Sequence, residues 1–84
     1  MSGSIIGNIF KTKHPDCFYG DLSSIKNFVY SVPEGEWLIL LSRKRHKIRK
    51  SYREFCFYSI ERNQVFYKIM TPNDFVCLFE KVER

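Results

Sequence analysis

The chain has 84 residues, enough for one small domain with a single core and too few for a second. Hydrophobic residues at 44% and aromatics at 17% exclude a disordered basic tail, and no stretch approaches the roughly eighteen apolar residues of a membrane-spanning helix. The net charge is +5, and its distribution is uneven: Arg43, Lys44, Arg45, Lys47, Arg49, Lys50 and Arg53 are seven of the fourteen Lys and Arg residues, and taking them away leaves the remainder at −2.

Residues 5–10, Ile-Ile-Gly-Asn-Ile-Phe, read as a short strand that Gly7 and Asn8 weaken. There is no basic n-region before them, and Ser2 breaks the myristoylation pattern, so a cytoplasmic protein is expected, or a nuclear one in a eukaryotic host. His14-Pro15-Asp16 predicts a turn, because proline fixes its own φ and disfavours helix in the residue before it. The surrounding residues 11–20 read as loop. From Asp21 the apolar spacing becomes helical, with Leu22, Ile25, Phe28, Val29 and Val32 at steps of three and four. Asp21 is placed to cap that helix, and Val32-Pro33-Glu34-Gly35 predicts the turn that ends it.

Residues 37–41, apolar at every position, predict a strand covered on both faces that delivers the chain into the basic run. Residues 54–60 and 65–70 then form a hairpin around Glu61-Arg62-Asn63-Gln64. With Arg62-Asn63 as the loop, Ile60 pairs with Val65, Tyr58 with Tyr67 and Cys56 with Ile69. The opposite face carries Phe55, Phe57, Ser59, Phe66, Lys68 and Met70. Last comes a helix signature: Thr71 as N-cap, Pro72 at the first position, Asp74 in the first turn, Met70 stapling Phe75, and Phe75, Leu78, Phe79 and Val82 on one face.

These elements predict a single α+β domain over residues 1–84, ordered strand, helix, three antiparallel strands, helix, with both helices packed on one face of the sheet. From Asp21 onward that order resembles the double-stranded RNA binding domain, in topology alone. Where that family carries its lysine-rich phosphate grip, this chain reads Thr71-Pro72-Asn73-Asp74, and no binding residue is carried over.

The basic run, residues 43–53, is expected to project from the sheet as a loop or strand extension. Cations at this density neutralise phosphates and release counterions, and Tyr52, Phe55 and Phe57 follow closely, as aromatics do where bases of a single strand are stacked. Arg43, Lys44, Arg45, Lys47, Arg49, Lys50, Tyr52 and Arg53 are therefore the candidate nucleic-acid-binding residues, with RNA or a single strand as the expected partner. Tyr58 and Tyr67 are further surface aromatics. The competing reading is an acidic protein partner, with the chain inhibiting a host or defence enzyme such as a toxin ribonuclease, alone or with RNA in the complex.

The absence of alanine beside plentiful Ile, Phe, Tyr, Lys and Asn suits an AT-rich genome and points to a phage or viral accessory protein. Three cysteines, Cys17, Cys56 and Cys77, are an odd number without CxxC spacing, as expected of reduced thiols. A zinc site with His14 would have only one paired set of ligands, so no metal and no cofactor is expected. A two-histidine nuclease pair of His14 and His46 has no spacing to support it, no catalytic motif occurs, and the chain is expected not to be an enzyme. An apolar hairpin face leaves room for a homodimer.

Overall fold

The computed structural model describes residues 6–20 and 29–82. The strands are β1 Ile9–Thr12, β2 Asp16–Tyr19, β3 Val29–Val32, β4 Trp37–Arg45, β5 Arg53–Ser59, β6 Gln64–Met70 and β7 Phe79–Lys81. One helix, α1 Pro72–Leu78, lies between β6 and β7. All strands join one antiparallel sheet in the order β3-β2-β6-β5-β4-β1-β7.

That sheet is rolled. Strands β2 and β1 stand four places apart in it, about 19 Å if it were flat. Only residues 13–15 connect them, however, and four Cα–Cα steps from Thr12 to Asp16 reach about 14 Å at most. Phe18 on β2 and Phe79 on the far edge strand β7 likewise meet with ring centroids 5.9 Å apart. The result is a curled half-barrel whose concave side holds the core.

Among the described residues, seven of the eleven buried apolar side chains are phenylalanines: Phe10, Phe18, Phe55, Phe57, Phe66, Phe75 and Phe79. Their rings pack edge to face and offset-stacked, as with Phe10 on Phe75 at 4.9 Å and Phe57 on Phe79 at 5.0 Å. The tyrosines sort outward, none fully buried, because each hydroxyl needs a polar partner. Helix α1 contributes Phe75 to this core, stacked on Phe55 at 4.9 Å. Its N-terminus carries the expected capping box: Thr71 Oγ1 accepts from the Asp74 amide and the Asp74 carboxylate accepts from the Thr71 amide.

The α+β expectation is overturned by the seven antiparallel strands and single short helix. Val29 and Val32, read as the end of a helical face, lie on β3, where Val29–Val32 pairs antiparallel with β2; the earlier part of that expected helix, 21–28, lies outside the described residues. A Val-Tyr-Ser-Val segment suits a pleated surface, and pairing with β2 prevails over a coincidental helical spacing. The predicted loop over 11–20 contains the end of β1 and all of β2, so the resemblance in element order to the double-stranded RNA binding domain falls away. The closing helix stops at Leu78 instead of reaching Val82, because Phe79 turns extended and begins β7 against β1.

Strand β4 is an interior strand as expected, but it is not covered on both faces: Leu38 and Leu40 are buried, while Trp37 and Leu41 are exposed on the other side. The β5–β6 hairpin forms with a register two residues from the expected one, Tyr58 opposite Val65 and Cys56 opposite Tyr67, around a four-residue turn over 60–63. Asn63 there adopts a positive φ of 53°, and the Tyr58 hydroxyl donates to its Oδ1. A slip of two preserves which side chains share a face, so Phe55, Phe57, Ser59, Phe66, Lys68 and Met70 lie on one face as predicted, and it is this face that is buried, with Lys68 half-buried at its edge.

Candidate nucleic-acid interface

All seven clustered cations lie on the β4–β5 hairpin. Arg43, Lys44 and Arg45 end β4, Lys47, Arg49 and Lys50 lie in the loop 46–52, and Arg53 opens β5. Cross-strand pairs continue to the end of the ribbon, with Lys44 opposite Glu54 and Arg45 opposite Arg53. Strand β1 pairs with β4 only from Trp37 to Ile39, with further backbone bonds at Leu40. Beyond Leu40, among the described residues, β4 has β5 as its one sheet neighbour and forms an edge, while β5 stays paired with β6 from Arg53 to Ser59, so the part that extends past the sheet is the loop 46–52.

A β-bulge marks the point of departure. Leu40 pairs with Phe57 and Ser42 with Cys56, which leaves Leu41 as an extra residue on β4. Bulges add right-handed twist and bend the strand that carries them. This one decides which charges face each other: with a continuous register through Leu41, Arg43 rather than Lys44 would oppose Glu54.

The loop is held by its own bonds. His46 Nδ1 accepts from the Ile48 and Arg49 amides at 3.3 and 3.1 Å. The His46 amide donates to the Tyr52 carbonyl at 3.1 Å, and the Tyr52 amide to the Arg49 carbonyl at 3.0 Å. The Arg53 guanidinium donates to the Lys50 and Tyr52 carbonyls at 2.7 and 3.1 Å. Arg49 lies over the Tyr52 ring, 5.6 Å from its centroid.

Among the described residues the ion pairs are Lys11 with Glu80, Arg62 with Glu36 and Lys68 with Asp16, and none involves the seven hairpin cations. The contrast with Arg62 and Lys68 is informative. Buried Glu36 accepts from Ser59 Oγ at 2.7 Å and from Arg62 Nε at 3.1 Å, which ties the turn before β4 to the β5–β6 turn. Lys68 bonds the Asp16 carboxylate at 3.1 Å and lies 5.5 Å from the Phe18 ring centroid, joining β6 to β2. Arg62 and Lys68 thus serve the fold through carboxylates, whereas the hairpin cations have no carboxylate partner among the described residues.

The aromatics that follow the basic run are not gathered beside it. Phe55 and Phe57 are core residues, 1% and 0% exposed. Tyr52 is half-buried under Arg49, and Tyr58 and Tyr67 are half-buried in the sheet, Tyr58 opposite Ile39 and Val65 and Tyr67 opposite Cys56 and Tyr19. Sequence reasoning passed over Ile48, which at 85% exposure is the most exposed large hydrophobic side chain among the described residues and sits in the loop among the cations. Its signal is visible in retrospect: it is the one aliphatic residue between Leu41 and Phe55.

Cys17 lies on β2, Cys56 on β5 and Cys77 on α1, and among the described residues no three His, Cys, Asp or Glu side chains gather as metal ligands. Burial pushes the Cys56 thiol up from its ordinary 9.0, against hydrogen bonds from Tyr67 and Ser42 and the nearby charge of Lys44. No described helix is long and apolar enough to cross a membrane. Neither a protein-family model, nor a curated protein, nor a solved structure matches this chain.

Proposed function

We propose that this protein binds nucleic acid through the β4–β5 hairpin, with Arg43, Lys44, Arg45, Lys47, Arg49, Lys50 and Arg53 contacting phosphates. The observation that carries the reading is the concentration on the β4–β5 hairpin of seven cations that form no ion pair among the described residues, while Arg62 and Lys68 brace the fold. Phosphate contacts are strong where such cations are exposed and displace condensed counterions. Favouring a groove over a stacked single strand is the placement of Phe55 and Phe57 in the core and of Tyr52 beneath Arg49.

Fluorescence anisotropy of nuclease-treated protein against labelled duplex DNA, single-stranded DNA and RNA across a salt series tests this. The expected log-log slope is about −0.9 per phosphate contact on B-form DNA and about −0.7 on a single strand. The triple variant Arg43→Glu, Arg45→Glu, Arg49→Glu should lose binding with its unfolding midpoint unchanged. Affinity that survives this charge reversal, or no binding at low salt, overturns the reading. The second reading, an inhibitor that presents the same hairpin to an acidic or RNA-occupied enzyme site, rests on the same free cations. A pull-down with and without nuclease separates the two, because a protein-only contact survives loss of the nucleic acid.

A further inference from the structure

Resting on the nucleic-acid reading, we infer that Ile48 is an apolar wedge that enters duplex DNA and separates two stacked base pairs while the flanking cations hold the phosphates on either side. Ile48 is 85% exposed in the loop 46–52 that extends past the sheet, with Lys47 before it and Arg49 after it. Left in water, an aliphatic side chain in that position contributes nothing to the fold. Apolar side chains carried into a duplex by a basic element open base steps and kink the helix, and isoleucine is one of the residues that do so.

The loop is built to hold this side chain outward. Its amide and that of Arg49 are both fixed by His46 Nδ1, the loop closes through the His46–Tyr52 and Tyr52–Arg49 backbone bonds, and Arg53 clamps two further carbonyls. A β-branched side chain is stiff at χ1, so little freedom is lost when it is inserted. The charge around it selects the occupant: seven cations complement a polyanion, whereas a membrane surface would require a broader apolar face than one aliphatic residue.

The test uses short duplexes with a central TA step, a flexible and easily unstacked step, carrying 2-aminopurine at that step in one set and donor and acceptor dyes at the ends in another. Wild-type binding should raise 2-aminopurine fluorescence and shorten the end-to-end distance. Ile48→Ser, at an exposed position the core does not use, should abolish both signals and weaken binding by about ten- to a hundredfold, the value of one buried aliphatic side chain, with the salt slope unchanged. Ile48→Leu should retain both signals. Binding by the wild type without unstacking or bending, equal affinity of Ile48→Ser, or a preference for single strands overturns the wedge while leaving phosphate binding by the hairpin intact. If the wild type binds no nucleic acid at low salt and instead captures anionic vesicles or a lysate protein, the wedge and the nucleic-acid reading fall together.

Discussion

His46 stands among seven cations yet acts through a lone pair. Its Nδ1 accepts two backbone amides, which requires that this nitrogen carry no proton and that the ring hydrogen sit on Nε2. In the run of sequence it reads as one more basic residue; in the fold it does the work of a capping acceptor. Replacing it with Asn, whose carbonyl oxygen can accept the same amides, should keep the loop ordered, whereas His46→Ala should not. Hydrogen exchange at the Ile48 and Arg49 amides checks this, with faster exchange expected in the alanine variant alone. At Cys56 the direction of the shift fixes a pH dependence. Its folded value is raised, so above 9.0 the unfolded chain gives up the thiol proton before the folded chain does. The contribution is fully present below 9.0 and is lost as pH rises through the folded value. Urea midpoints measured into the alkaline range should fall less steeply for Cys56→Ala than for the wild type, and alkylation at neutral pH should reach the exposed Cys17 and Cys77 before Cys56.

Among the elements, those legible in sequence are the ones whose signal is local. Thr71, Pro72 and Asp74 announce the start of α1 because capping chemistry acts within four residues, and removing the cap by Thr71→Ala should cost about 1 kcal/mol. In a domain of this size that lowers Tm by about 4–8 °C, measurable by thermal unfolding. The β5–β6 hairpin was legible in its faces and not in its register, since alternation fixes the faces and turn length fixes the pairing. Strands β2 and β3 were not legible. Each has four residues and one buried side chain, Phe18 in β2 and Val32 in β3, so neither shows an alternating pattern, and both depend on partners distant in sequence. The end of α1 was missed for the same reason, because its helical spacing continues through Phe79 and Val82 and only pairing with β1 ends it. In the candidate site the cations were legible as composition. The exposure of Ile48 and the burial of Phe55 and Phe57 required the hairpin geometry.

For the whole molecule, the phenylalanine core divides the chain into a part that folds and a part that reaches out. Phe57 is fully buried and meets Phe18, Phe55, Phe75 and Phe79, which come from β2, β5, α1 and β7. Phe57→Ala should cost about 3–5 kcal/mol, a large share of the roughly 5–15 kcal/mol that holds a small domain together. Chemical denaturation measures that loss. Charge reversal at the hairpin should leave the same denaturation curve in place, because no cation there braces the core. The pairing of β7 with β1 also sets an order of events in time. Strands β4, β5 and β6 are consecutive and joined by hairpins, so their pairing closes short loops, whereas β1 pairs with β4 over a moderate separation and with β7 only across nearly the whole chain. Until α1 and β7 are in place, Phe10, Phe55 and Phe57 lack Phe75 and Phe79, so the last two elements close the core over strands that are already paired.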